Sequence, residues 1–120
     1  MDSIKIAMVA AFLKEFKKLA ANSEVDIFIK RTEFKAALIE LEITTSDAFN
    51  ELMSLSIENY CSGPEPDRDR PGTFIWEFGT TLKRREVYSK LKIAEIAGKK
   101  YAVCISFHPA KFPMCYPLKN

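Results

Sequence analysis

Three segments in the second half of the chain, Thr73 to Phe78, Glu86 to Ile96 and Tyr101 to His108, alternate apolar residues with polar or small ones. A period of two marks a strand with one face turned to a core. The apolar set comprises Phe74, Trp76 and Phe78, then Val87, Leu91 and Ile93, then Tyr101, Val103, Ile105 and Phe107. The opposite set gathers Glu77, Tyr88, Lys90, Lys92, Ser106 and His108. A carboxylate, a phenol, lysines and a histidine on one face have a definite chemical use. Cleavage of RNA by its own 2′-hydroxyl needs a base for that proton, a cation against the pentavalent phosphorane and an acid for the departing 5′-oxygen. Glu77 or His108 suits the base, Lys90 with Arg84 or Arg85 the phosphate, and His108 or Tyr88 the acid. Lys83-Arg84-Arg85, Lys92 and Lys99-Lys100 are candidate grips for flanking phosphates, and Tyr88 or Tyr60 for stacking on a base. The plainer reading is a solvated sheet face with a hydrated basic loop beside it.

Other chemistries are removed by counting. His108 is the single histidine, which excludes zinc helices of the HExxH type and paired-histidine catalysis. The four glycines, Gly63, Gly72, Gly79 and Gly98, are too widely spaced for a dinucleotide turn or a phosphate-binding loop, so no cofactor is expected. Cys61, Cys104 and Cys115 are odd in number and form no CxxC pair, which suits a reducing cytoplasm. Cys104 and His108 are four residues apart on one strand, about 13 Å, too far to share a metal ion. Cys104 is expected to be a packing residue, while Cys115 is the thiol that could approach His108. Glu65, Asp67 and Asp69 suggest a hard-cation site, but Arg68 and Arg70 interleave with them and offset the charge, so no metal is expected. The longest apolar run, Ile6 to Leu13, falls far short of the roughly 20 residues needed to cross a bilayer and lacks the flanks of a signal peptide. A cytoplasmic protein without a membrane partner is expected. The net charge of +2 conceals an asymmetry: residues 1–60 carry seven Lys/Arg against ten Asp/Glu, and residues 61–120 carry eleven against six. A basic second half favours a polyanionic partner.

A chain of 120 residues with 48% hydrophobic and 28% charged content has the makings of a single globular domain over residues 1–120. Met8, Phe12, Phe16 and Leu19 recur at helical spacing and predict an amphipathic helix from Ala7 to Ala21. Val25, Ile27 and Ile29 alternate with Asp26, Phe28 and Lys30, predicting a short strand at a sheet edge. Thr32 is the expected N-cap of a helix from Glu33 to about Glu42, carrying Phe34, Leu38 and Leu41 on one face. Thr45 or Ser46 is expected to cap another, with Phe49, Leu52 and Met53 together. Cys61 to Gly72 is dense in turn formers and predicts a long loop. Helices followed by a three-stranded antiparallel meander make an α+β fold, its N-terminal helices packed on a small sheet. For both apolar sets to face the core, the last hairpin needs an odd loop, and Ala97-Gly98-Lys99 supplies one. That register sets Lys90 opposite Ser106 and Tyr88 opposite His108, with Cβ atoms about 5 Å apart.

Several strings, in their order along the chain, resemble the MqsR family of bacterial toxins. They are Phe-Leu-Lys-Glu-Phe-Lys-Lys-Leu at 12–19, Lys35-Ala36-Ala37-Leu38, Ile75-Trp76, Val87-Tyr88-Ser89-Lys90 and Ser106-Phe107. The resemblance implies a RelE-like fold and an endoribonuclease, a messenger-RNA interferase, that works without a metal and is silenced by a cognate antitoxin. It leaves open whether the ribosome takes part. It carries the family's site onto Glu77, where the best-known form of the family has glutamine, onto Tyr88 and Lys90, and onto His108, which stands where the family has a basic residue. It also carries the aromatic that closes the helical half onto Tyr60. The chain departs from the family in its longer loop around Gly63 to Gly72 and in a tail, Pro109 to Asn120. In that tail Phe112, Met114, Tyr116 and Leu118 alternate, as a final strand or a segment packed over the sheet would. The competing classes are a non-catalytic RNA- or ribosome-binding module and a protein-interaction domain docking through the sheet face or edge.

Overall fold

The computed structural model describes residues 2–23 and 25–120. Three helices, α1 (Ser3–Ala21), α2 (Arg31–Leu41) and α3 (Thr45–Met53), precede a short 3₁₀ turn (Ile57–Asn59). Four strands follow: β1 (Tyr60–Pro66), β2 (Phe74–Leu82), β3 (Arg85–Ile96) and β4 (Lys99–Pro109). The sheet is antiparallel throughout, in the order β1-β2-β3-β4, and the fold is α+β. Among the described residues no helix is long and apolar enough to cross a membrane.

Helix α1 starts four residues before the expected Ala7 because Asp2 caps it, its carboxylate accepting from the Ile4 and Lys5 amides. Its buried stripe is Val9, Phe12, Leu13, Phe16 and Ala20, whereas Met8, expected on that face, is 41% exposed. Phe12 stacks on Trp76 at 4.8 Å between ring centroids, and Tyr60 meets Trp76 edge-on at 6.3 Å, which joins α1 to β1 and β2. A second aromatic group, Phe28, Phe34 and Phe107, joins α2 to β4.

The caps of α2 and α3 differ from expectation by one or two residues. Thr32 lies inside the first turn of α2, and Lys30 precedes that helix without a side-chain cap. Thr44, rather than Thr45 or Ser46, opens α3 through a capping box: its hydroxyl accepts from the Asp47 amide at 3.1 Å and its own amide donates to the Asp47 carboxylate at 2.9 Å.

The segment around Val25 to Lys30 does not form the expected strand. The Asp26 carboxylate accepts from the Phe28 amide at 2.8 Å, an Asx turn that takes the backbone out of the alternating pattern. Ile27 and Phe28 are both buried, and one parallel bridge, Phe28 to Cys104, ties the segment to the β4 edge.

Tyr60 to Pro66 is strand rather than loop, a correction to the expected loop from Cys61 to Gly72. Two register irregularities against β2 break its alternation, and Gly63 takes φ +110° where a Cβ would lie 2.6 Å from the Ile75 carbonyl oxygen. Prolines are tolerated here because β1 is an edge strand.

The β3–β4 hairpin turns on two residues, Ala97 and Gly98, both with positive φ, and Ile96 pairs with Lys99. The expected three-residue loop is therefore absent. An even turn reverses the faces, so Ala102 and Cys104 join the core while Tyr101 and Val103 pair with Ala94 and Lys92 on the other face of the sheet, where Ala94 and Val103 are also buried. A bulge then intervenes, since Leu91 pairs with Cys104 but Lys90 pairs with Ser106, leaving Ile105 as the extra residue. Beyond it the faces match expectation: Phe107 is buried and Tyr88 stands opposite His108. The β2–β3 turn is likewise two residues, Lys83 and Arg84, with φ +48° and +67°.

The tail adds no strand and packs over the sheet. Its Ala110 amide donates to the Glu86 carbonyl at 2.8 Å, and Met114 N–H and Tyr116 O–H donate to the Glu86 carboxylate at 3.1 and 2.8 Å. Gly79 makes room for this crossing, because a Cβ there would meet Tyr116 Oη at 2.5 Å and Met114 Sδ at 2.8 Å. Leu118 is buried with the core.

Of the three positive-φ glycines, Gly63 and Gly98 differ in surroundings, Gly98 having open space around it. Gly98→Ala is expected to cost about 1 kcal/mol of backbone strain, and Gly63→Ala, which adds a backbone clash, at least about 2 kcal/mol. Urea denaturation of the two variants checks the order, and equal losses would contradict the packing of Gly63 against β2.

Candidate functional site

The pairing that brings the polar residues together is Glu77 to Lys90 across β2–β3, and Lys90 to Ser106 and Tyr88 to His108 across β3–β4. On this face the Tyr88 hydroxyl donates to one oxygen of Glu77 and the Ser62 hydroxyl donates to the other. Burial works to raise the Glu77 carboxyl, but the Ser62 and Tyr88 hydrogen bonds and the Lys90 charge more than offset it. The group stays below the ordinary glutamate value and is ionised at neutral pH. For Tyr88 burial and the Glu77 carboxylate act in the same direction, and its hydroxyl is held well above the usual tyrosine value. A tyrosinate next to that carboxylate is strongly disfavoured.

The His108 ring lies 5.1 Å from the Tyr88 ring, tilted by 30°. Its Nδ1 is 2.8 Å from the Pro109 carbonyl oxygen, an acceptor, so the proton of the neutral ring is assigned to Nδ1 and the lone pair to Nε2. His108 thus has an anchored side and a basic side.

Glu77, Tyr88 and His108 line a cavity of about 390 Å³ whose remaining wall comes from Cys61 of β1 and the tail residues 110–115. His108 and Lys111 also border a smaller cavity of about 240 Å³ that includes Lys30, Glu33 and Ser106. Lys30, Lys90 and Lys111 form no ion pair among the described residues.

Not every candidate named from the sequence belongs to this group. Tyr60 is 5% exposed, sits among core aromatics and donates its hydroxyl to the Gly63 carbonyl, so it offers no ring to a base. Lys92 is ion-paired at 2.8 Å with the buried Asp67, an interaction that fastens the loop after β1 to β3. The Lys92 hydrogen bond, together with the Asp69 amide, holds the Asp67 carboxyl below its ordinary range against the effect of burial. Lys83 donates to the Glu42 carbonyl at 2.6 Å and Arg85 pairs with the Glu40 carboxylate at 2.8 Å, so both cations sit at the C-terminus of α2. Arg84 is exposed at the turn. None of these three basic residues lines the cavity; Lys90 does not line it either, but stands on the same sheet face, paired with Glu77 and Ser106. Lys100 pairs with Glu15 at 3.3 Å, and Lys99 lies over the Tyr101 ring.

No group of three His, Cys, Asp or Glu side chains spaced for a metal ion is present among the described residues. Cys104 is a core residue whose thiol donates to the Ser106 carbonyl, and burial pushes it well above the usual thiol value. Burial also pushes the Cys61 thiol up, to about 12, which argues against a thiolate nucleophile at that position.

Two contributors escaped the sequence reading. Ser62 was hidden in a stretch that reads as loop, and the tail's share in the cavity wall was visible only as an alternation without a location. Compared with known proteins, the chain matches no family model, no curated protein and no solved structure.

Because Tyr88 supplies one of the bonds that lower Glu77, Tyr88→Phe is expected to raise the Glu77 titration midpoint, read by side-chain carboxyl NMR. The depressed carboxyl contributes stability that is present above its unfolded value of about 4.3 and is lost as pH falls through the lower folded value. Tyr88→Phe should narrow that window. An unmoved midpoint would mean that the hydrogen bond does not persist in solution.

Proposed function

We propose that this protein is a metal-independent endoribonuclease that cuts messenger RNA through attack of the 2′-hydroxyl. The observation that carries the reading is the convergence of Glu77, Tyr88, His108 and Lys111 on one cavity, with His108 anchored at Nδ1 and its Nε2 lone pair free.

In this reading Nε2 of His108 takes the 2′-hydroxyl proton, and the freed oxygen attacks phosphorus in line with the departing 5′-oxygen. Lys90 offsets the charge that develops on the phosphorane, and the Lys111 ammonium gives a proton to the 5′-oxygen. The products are a 2′,3′-cyclic phosphate and a 5′-hydroxyl end. Tyr88 is a poor acid here, since loss of its proton would set a phenolate beside the ionised Glu77. Glu77 and Tyr88 act instead as positioning residues: the carboxylate fixes the phenol, and the phenol's ring flanks the imidazole. The resemblance of the ordered strings to the MqsR toxins supports messenger RNA as substrate, a RelE-like toxin domain acting in the cytoplasm, and inhibition by a cognate antitoxin. It leaves the place of the ribosome open.

The test is incubation of the purified chain with a long messenger RNA in excess chelator, with mapping of the ends. Discrete cuts bearing 2′,3′-cyclic phosphates are expected, and His108→Ala should slow them by about 10²–10⁴-fold without loss of the folded state. A substrate with a 5′-thio leaving group needs no acid, so it should restore cleavage to Lys111→Ala and not to His108→Ala. Intact RNA that is nevertheless bound in a salt-dependent way would replace the nuclease with the binding-module reading. Wild-type rates in His108→Ala would remove histidine from the chemistry.

A further inference from the structure

Phe112 is 80% exposed, an unusual place for a large aromatic ring that no core contact requires. Its position is nonetheless defined. The chain on its N-terminal side is held by the Ala110 amide on the Glu86 carbonyl, and on its C-terminal side by Met114 N–H and Tyr116 O–H on the Glu86 carboxylate. Both feet of a short arch therefore rest on one residue, with Phe112 near its crown and Pro113 stiffening the descent. The inner side of the arch forms part of the wall of the cavity that holds Glu77, Tyr88 and His108. Lys111, next in sequence to the ring, borders the same cavity and the adjoining one.

An exposed ring on a tethered support, beside cations and an apolar wall, has the components of a single-stranded nucleic-acid stacking site: a π-face for the base and positive charge for the backbone. We propose that Phe112 is a nucleobase-stacking platform that seats one base of single-stranded RNA at the cavity mouth, with Glu86 as the positioning residue that holds the platform in place. The inference rests on the ribonuclease reading for its choice of ligand, and it assigns to the tail the task of placing the scissile linkage against His108. The ring offers no hydrogen bond, so the platform distinguishes a base from no base rather than one base from another.

The probe is a fluorescein-labelled RNA oligonucleotide, 2′-O-methylated so that it cannot be cleaved, together with counterparts each lacking one base. Anisotropy is expected to show that one abasic position weakens wild-type binding by about 5- to 100-fold. Phe112→Ala should weaken binding of the intact oligonucleotide to a similar extent and abolish the difference between intact and abasic RNA, while Phe112→Trp should retain both. Since the ring is exposed, the thermal midpoint of Phe112→Ala should be unchanged. Glu86→Ala, which frees the C-terminal foot of the arch while the main-chain carbonyl still holds the N-terminal one, should weaken binding with the ring still present. Wild-type affinity and abasic discrimination in Phe112→Ala would overturn the proposal. Cleavage of unmodified RNA in chelator is measured alongside: a wild-type chain that binds through Phe112 yet never cuts sinks the nuclease reading alone, and one that cuts with Phe112-independent binding sinks the platform alone.

Discussion

The arrangement of the site hangs on one extra residue in β4. The two-residue turn at Ala97–Gly98 pairs the start of β4 with β3 so that Ala102 and Cys104 face the helices. Continued without interruption, that register would set Phe107 opposite Tyr88 on the outer face and turn His108 inward opposite Val87. Burying a histidine and exposing a phenylalanine would both be costly. The bulge at Ile105 shifts the pairing by one, so Phe107 completes the aromatic group with Phe28 and Phe34 while His108 comes beside Tyr88. Core packing and the functional face are thus satisfied by the same irregularity, and the hydrophobic demand of Phe107 holds the imidazole in place.

Part of the basic charge of the second half is met within the fold. Lys83, Arg85 and Lys100 of the basic half reach Glu42, Glu40 and Glu15 of the acidic half, so the β2–β3 turn and the start of β4 are fastened to α2 and α1. Each such contact is exposed and individually weak, and the buried aromatic contacts of α1 and α2 set where the helices lie on the sheet. Lys92, facing the buried Asp67, is consumed in the same manner within the basic half. The cations left around His108 are Lys30, Lys90 and Lys111, and two of them come from segments outside the alternating strands.

What was legible in the sequence followed from periodicity. Trp76 and Phe78, Val87 and Leu91, with Glu77, Tyr88 and Lys90 opposite them, declared their faces because hydrophobic burial enforces a strict period of two. The period failed where a side chain or a glycine competes with the ladder. Asp26 captured the Phe28 amide and removed a strand, whereas Gly63 and its neighbouring prolines concealed one whose alternation is broken by two register irregularities against β2. Which basic residues are held by other parts of the fold was not legible. A lysine in a string of letters looks the same whether it faces water or, like Lys83, a helix carbonyl 41 residues away in sequence. Pairing of this kind is decided by tertiary geometry.

Gly79 carries an evolutionary consequence. The tail crosses β2 in the space that any side chain at 79 would occupy, with Tyr116 and Met114 already there. A lineage that acquires even an alanine at this position must shift the tail or lose its crossing, and a lineage that lacks the tail is released from the need for glycine. The two features are therefore expected to be inherited as a pair, a covarying mark separated by more than thirty residues. It would divide descendants of this fold into those whose cavity has a C-terminal wall and those whose sheet face lies open.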